Sequence, residues 1–253
     1  MRSIPAGRIA AAATAATLLV AAAAPSAGAA TSVPSRLSIG VSPKKIRKAR
    51  RGVGTPVKLR TKISFDHPAD SRLQLQRVTI LLPGGVGKPN GKLFPSCKAS
   101  VLNRARGRLS ACPKGSMVGR GVARGTAVDI GVSSSGRLTF FNGPRGKSLT
   151  LNVSIINPAQ INATFKAPIK KIRGRFGYRV TFKIPSQLQT ILDGPIVVDG
   201  IDATIGANRR VRGTTRGFIE ALRCPRSKKA PGRGMFDFSD GSTSRANAIL
   251  RCR

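Results

Sequence analysis

The apolar residues of this chain recur at every second position, in short runs closed by Gly, Pro, Asn or Asp. Leu37, Ile39 and Val41 alternate with Ser38 and Gly40, and Leu73 and Leu75 alternate with Gln74 and Gln76 before the apolar stretch Val78 to Leu82. Leu149, Leu151, Val153 and Ile155 alternate with Thr150, Asn152 and Ser154, and the same period marks Ile161 to Phe165, Tyr178 to Ile184, Ile201 to Ile205 and Met235 to Phe238. A two-residue period gives a strand one apolar face and one wet face, and helices have no use for it. Turn residues between such runs, at these intervals, belong to sandwiches or barrels. No segment sustains helical periodicity over three turns. Two short helices are compatible with the pattern: Ser96 capping a turn through Val101 and Leu102, and Ser186 capping Gln187 to Leu192 with Gly194 ending it. The expected fold is all-β, an antiparallel β-sandwich, immunoglobulin-like or jelly-roll-like, with at most two short helices. The 253 residues leave the domain count open: one large sandwich over 31–253, or two smaller ones dividing near 127–147.

Residues 1–30 read as a secretory signal rather than part of the fold. Arg2 and Arg8 supply a positive flank, Ile9 to Ala24 is small and apolar, and Ala27-Gly28-Ala29 is the small-x-small pattern of a cleavage site, which places the cut near Ala29 or Ala30. A retained membrane anchor is the competing reading, but the stretch is Ala-rich, at the shorter end of spanning helices and followed directly by that site. No later stretch approaches the roughly 18 apolar residues of a membrane helix. The expectation is therefore an exported product, extracellular or attached to the cell surface, with no transmembrane segment after cleavage.

Export decides how the cysteines are read. Cys97, Cys112, Cys224 and Cys252 are an even number in an oxidising compartment, which favours disulfides. Of the three possible pairings, Cys97–Cys112 and Cys224–Cys252 close the shortest loops. Zinc would need C-x-x-C clustering, and no two of these cysteines lie within four residues. A loop of about 15 residues contributes roughly 3 kcal/mol in the chain-entropy picture.

Lys and Arg number 45 against 9 Asp and Glu, a formal charge of +36 that falls to +34 when Arg2 and Arg8 leave with the signal. The densest group is Lys44, Lys45, Arg47, Lys48, Arg50 and Arg51, near the start of the mature chain. Such a run makes a solvated turn or strand edge, or a landing site for phosphate and other polyanions. Further groups recur at Arg104, Arg106 and Arg108, at Lys166, Lys170, Lys171, Arg173 and Arg175, and at Arg209, Arg210, Arg212 and Arg216. This dispersion points to a field over the whole surface, which attracts acidic polymers with strong salt dependence. Non-specific nucleic-acid binding in vitro follows from charge alone. Sequence-specific recognition has no helix-turn-helix, zinc-finger or basic-helix pattern behind it. Ten Phe, one Tyr and no Trp offer little stacking surface for single strands or sugars. The expected partners are anionic envelope polymers or lipid head groups.

Catalytic chemistry has few residues to draw on. The single His67 sits in Phe65-Asp66-His67-Pro68-Ala69-Asp70, a polar turn between strands, and no G-x-S-x-G elbow exists. Asp193, Asp199 and Asp202 are the nearest thing to paired carboxylates or calcium ligands, but Asp193-Gly194 and Asp199-Gly200 are turn dipeptides and the spacing of an EF-hand is missing. Glu220 is the only Glu. Gly84 to Lys88 lacks the ending of a phosphate loop. No catalytic residue, metal ligand or cofactor is assigned.

The cysteines and their neighbours resemble a motif of secreted actinobacterial proteins. The run Leu81-Leu82-Pro83-Gly84-Gly85-Val86 is followed by Phe94-Pro95-Ser96-Cys97, by Leu102, and by Cys112-Pro113-Lys114-Gly115-Ser116-Met117-Val118-Gly119-Arg120-Gly121 with Ala123. The tail, from Cys224-Pro225 through Phe236-Asp237-Phe238 and Asp240-Gly241-Ser242 to Cys252, is similar to the ending of the same proteins. The resemblance implies a secreted β-sandwich-like fold with two local disulfides and no assigned activity. This chain departs from it in the short Arg-rich connection between Cys97 and Cys112 and in its charge. In physical terms, Cys112 to Ser116 is a turn releasing a strand near Met117, where Gly119, Gly121 and Gly125 allow close backbone approach or a bulge. The leading functional expectation is a non-enzymatic envelope or surface protein with a structural or adhesive role. A secreted hydrolase with a minimal Asp site and a cationic toxin or nucleic-acid scavenger are the alternatives.

Overall fold

The structure, a computed structural model, describes residues 33–50, 52–68, 70–191 and 194–253; the expected signal segment, Arg51 and Asp193 lie outside them. Four strands come first: β1 (Ser35–Ser42), β2 (Thr55–Phe65), β3 (Leu75–Pro83) and β4 (Gly87–Pro89). A covering segment then carries the helix α1 (Ala99–Arg104). A meander follows, of β5 (Met117–Ala127), β6 (Val132–Asn142), β7 (Ser148–Ile155), β8 (Ile161–Lys171) and β9 (Phe176–Lys183). The remaining strands are β10 (Thr190–Ile191), β11 (Gly194–Ile205), β12 (Asn208–Val211), β13 (Thr214–Gly217), β14 (Ile219–Ala221), β15 (Lys229–Phe238) and β16 (Thr243–Arg251).

The protein is all-β and sandwich-like. Fourteen strands form one antiparallel sheet whose path runs β16-β15-β3-β9-β8-β7-β6-β5-β11-β2-β14-β4, with β1 on β2 and β10 on β11; β12 and β13 form a separate hairpin. The sheet folds over itself at β8. Ile161 to Pro168 pair with β7, whereas Ile169 to Lys171 pair with β9, so one strand passes from the first layer to the second. The first layer is β1-β2-β11-β5-β6-β7 and the second is β9-β3-β15-β16. Val132 to Asn142, inside the interval where two sandwiches were thought able to divide, form β6 between β5 and β7.

Alternation does what the sequence implies. In β16 the buried residues are Ser244, Ala246, Ala248 and Leu250, each flanked by exposed neighbours. Leu37 and Ile39 of β1 and Ile63 and Phe65 of β2 pack across the interior on Val78 and Ile80 of β3, Phe236 and Phe238 of β15, and Leu250 of β16. A second cluster joins Phe140, Leu149, Leu151 and Val153 to Val180 and Phe218. Phe65 meets Phe236 edge to face at 5.0 Å between ring centres.

Both disulfides join the expected partners. Cys97–Cys112 has Cα atoms 5.3 Å apart and Cys224–Cys252 has them 5.8 Å apart. The first closes a segment that lays Leu102 over Phe141. That segment is anchored by the buried Asn142, whose Nδ2 donates to the carbonyls of Gly91 and Phe94 at 2.9 Å and of Pro95 at 3.1 Å.

Two helix expectations need correction. The helix after Cys97 begins at Ala99 with Lys98 at its N-cap, not Ser96, because the Cys97 N–H donates to Asn142 O at 2.8 Å and holds Cys97 in place outside the helix. Ser186 to Leu188 make only one tight turn, preceded by Pro185. Beyond it Thr190 and Ile191 pair with Pro195 and Gly194, and strand pairing with a buried Ile191 prevails over the weak helical pattern.

Candidate anion-binding surface

The basic run lies between β1 and β2 as an extended strap. Its Ile46 N–H donates to Arg253 O at 2.8 Å, the Arg253 N–H donates to Lys44 O at 2.8 Å, and the Ala49 N–H donates to Leu222 O at 2.7 Å. These bonds turn Ile46 and Ala49 inward and leave Lys44, Lys45, Arg47, Lys48 and Arg50 exposed. The Arg47 N–H donates to Thr55 Oγ1 at 3.0 Å and fixes the strap to the start of β2. The strap therefore adjoins the chain end at Arg253 and the Cys224–Cys252 bridge, where Arg226, Lys228 and Arg251 are also exposed.

A second basic area is built by register. On β2 the outward positions are Lys58, Arg60 and Lys62; on β5 they are Arg120, Val122 and Arg124; on β6 Arg137 stands opposite Val122. β11 runs between β2 and β5 and sets Asp202 beside Lys62 and Val122, and Thr204 beside Arg60 and Arg120. β2 and β5 lie two strand spacings apart, about 10 Å, and same-face residues lie about 7 Å apart along each strand, so these cations form an open grid with Asp202 inside it. Sequence reading passed over the grid, although Lys58-x-Arg60-x-Lys62 and Arg120-x-x-x-Arg124 are its trace. Beside it opens a groove of about 580 Å³ lined by Arg124, Arg137, Ser133, Ser135, Ser154 and Asp199.

The other layer carries its own cations on the outer face. Arg179 and Lys183 of β9, Arg233 of β15, and Arg245 and Arg251 of β16 alternate with inward residues. The other groups noted in the sequence are also at the surface: Arg104 ends α1, Lys170 and Lys171 end β8, and Arg209 and Arg210 lie on the β12–β13 hairpin.

Most acids among the described residues are already engaged. Asp66 pairs with Arg36 at 2.8 Å, Asp237 with Arg77 at 3.0 Å and Asp129 with Arg72. Asp202 takes Arg60 Nη2 at 2.7 Å and Nε at 3.2 Å, and that hydrogen bonding holds its carboxyl below the ordinary Asp value. Asp199, the unpaired residue of the bulge between Val198 and Gly200, accepts from Thr126 Oγ1 at 3.1 Å. The structure thus gives Asp199 and Asp202 separate partners. His67 Nε2 lies 3.0 Å from Val198 O and Nδ1 lies 3.4 Å from Ser71 Oγ, with the ring against Phe65 and Phe238. Among the described residues no three His, Cys, Asp or Glu side chains cluster in a way that could hold a metal ion.

Glu220 is the buried charge that sequence reading singled out only by its rarity. It is fully buried and accepts from Arg216 Nε at 2.6 Å and Nη2 at 3.2 Å, and from the backbone N–H groups of Gly54 at 3.2 Å and Gly217 at 3.3 Å. Burial pushes its carboxyl up, but the bonds from Arg216 and the Gly54 amide outweigh that and hold it below the ordinary Glu value. Arg216 is consequently not available to a ligand, unlike the other cations of its group.

Fold and surface together define an antiparallel sandwich whose outer faces and one end are lined with Lys and Arg. No family model, curated protein or solved structure matches the chain.

Proposed function

We propose that this protein is an exported, non-enzymatic module of the cell envelope or surface that holds anionic polymers against its cationic exterior. The observation that carries the reading is the register across β2, β11, β5 and β6, which gathers Lys58, Arg60, Lys62, Arg120, Arg124 and Arg137 on one wet face. The strap of Lys44, Lys45, Arg47, Lys48 and Arg50 supplies a second contact area, and the leader at 1–30 supplies the route out of the cell. A grid of cations with few aromatic neighbours, in which Arg60 is held by Asp202, reads charge density rather than chemical identity. Polymers of phosphate or carboxylate groups are its natural class of ligand, and nucleic acid binds for the same reason.

The test is a titration of polyphosphate, polyglutamate and duplex DNA at rising salt. Affinity is expected to follow polymer charge density and to fall steeply with salt for all three. Exchanging Arg47, Lys48, Arg50 and Arg51 for Ser weakens binding partly, and exchanging Arg120, Arg124 and Arg137 as well weakens it further. Salt-insensitive binding of one defined ligand, or a hydrolytic activity abolished by His67→Ala or Asp202→Ala, overturns the reading.

A further inference from the structure

The two layers do not fill the space between them. A cavity of about 260 Å³ runs through the interior, and its walls come from both layers. Leu59, Leu82, Phe165, Ile169, Phe182 and Ile201 point into it and remain only half-buried, although they belong to the inner faces of the sandwich. Natural interiors are packed to crystal-like density, and an apolar void of this size is rare without an occupant.

The hollow has a cause in the sequence. Where the walls reach β5, β6 and β11, the small residues Ala123, Gly125, Gly136 and Ala203 stand among larger ones such as Leu138, Phe140, Val198 and Ile205. A Cβ on Gly125 would stand 2.5 Å from Val197 O, a distance that no side chain tolerates, so the strand pairing itself keeps that position bare. These four positions withhold part of the volume that would otherwise close the core.

The ends of the cavity differ from its walls. At one end it reaches the surface beside the exposed Arg223, with Lys88, Tyr178 and the strap residue Ile46 around it. Lys45 and Arg47 flank Ile46 and are exposed. Glu220 also lies at this end, but its charge is met by Arg216, and Lys88 Nζ, 4.0 Å from it, donates to Gly52 O at 2.6 Å, which leaves Arg223 as the cation of the mouth. An occupant must therefore be apolar along its length and anionic at one tip. A peptide would bring backbone polar groups that this wall cannot satisfy. From this juxtaposition of a hollow aliphatic interior and a cationic mouth, we infer that the sandwich binds one acyl chain, tail between the layers and a carboxylate or phosphate head at Arg223. The volume of about 260 Å³ exceeds the roughly 150 Å³ of an apolar cavity that takes up benzene, so it has room for a short acyl chain. The inference is independent of polymer binding, since it concerns the inside of the fold and not its faces.

The test is calorimetric titration of the full chain with decanoate, decyl phosphate, hexanoate and decyltrimethylammonium, each below its micelle concentration. One decanoate or decyl phosphate is expected per chain, about fourfold weaker for every methylene removed. The cationic amphiphile is expected to bind about tenfold more weakly or worse. A preference between decanoate and decyl phosphate assigns the head as fatty acid or phospholipid-like. Ala123→Leu, checked for folding by circular dichroism, fills the cavity and weakens every chain about tenfold or more; Ile169→Phe serves the same purpose if that variant does not fold. Arg223→Gln at the exposed mouth weakens the anionic amphiphiles alone. The inference is overturned if folded wild-type protein binds neither decanoate nor decyl phosphate, or if affinity ignores chain length. Equal affinity for the cationic amphiphile, or unaltered binding in the filled variant, overturns it too. Loss of polymer binding with retention of decanoate, or the reverse, separates this result from that of the surface reading.

Discussion

At the scale of single residues, Glu220 shows how a buried charge is tolerated. Both carboxylate oxygens are occupied, by Arg216 and by the amides of Gly54 and Gly217, so β14 is tied to the start of β2 and to the end of β13. Removing one partner of a buried pair leaves the other desolvated and unmatched. Glu220→Ala is expected to destabilise the fold by about 3–5 kcal/mol, read from denaturant unfolding. Since the folded carboxyl lies below its ordinary value, its contribution is complete above about pH 4.3 and is lost as pH falls through the lower folded value. The wild type should therefore lose stability in that acid range, and Glu220→Ala should lose less; equal acid sensitivity in both would contradict the assignment. None of this was legible beforehand. A lone Glu carries no pattern, and its partners Gly54 and Arg216 are joined to it by topology rather than by sequence spacing.

At the scale of elements, alternation was read in most strands with large inward residues, although β2, with Val57, Leu59, Ile63 and Phe65 alternating with Lys and Arg, was passed over. β7, with Leu149, Leu151, Val153 and Ile155, needed no structure to be seen. β15 was read only from Met235 to Phe238 because its earlier inward positions are Ala230, Gly232 and Gly234, which carry no apolar signal although they are buried. The hairpin of β12 and β13 was missed for a related reason: Asn208-Arg209-Arg210-Val211 has no apolar face and is held by pairing with Thr214 to Gly217. β5 shows the positive side of small residues. A Cβ on Gly121 would lie 2.5 Å from Asp202 O and 2.9 Å from the Ala203 Cβ, so the close approach expected for this motif is realised against β11. Gly121→Ala is expected to cost about 1–3 kcal/mol in thermal or chemical unfolding, through displaced backbone. Val122→Ser, one residue further on and facing water, is expected to change stability by less than about 0.5 kcal/mol. Equal effects at the two positions would show that β5 and β11 do not constrain each other there.

At the scale of the whole molecule, the charge that marks the sequence also sets the conditions under which the fold is stable. The formal charge is +36, or +34 over residues 31–253, and six basic side chains have a carboxylate within 4.0 Å among the described residues. Like charges separated by one strand, such as Arg60 on β2 and Arg120 on β5 at either side of Thr204 on β11, repel in the folded state more than in an expanded chain. Five of the ion pairs have an arginine partner, and four of those arginines are about half or more exposed, so the attractions that salt would remove are weak. The repulsion is spread over both faces and is screened once the Debye length falls below about 10 Å, near 0.1 M salt. Melting temperature is therefore expected to rise as sodium chloride increases from low millimolar to about that concentration, and to rise further at low salt when polyphosphate is added, because a ligand of the folded state stabilises it by mass action. The two effects should not add: salt that screens the faces also displaces the polymer, so the gain from polyphosphate should shrink as salt rises. A melting temperature that falls with salt would mean that the ion pairs outweigh the repulsion, and a polyphosphate effect that persists at high salt would mean that the polymer is held by something other than the field of the outer strands.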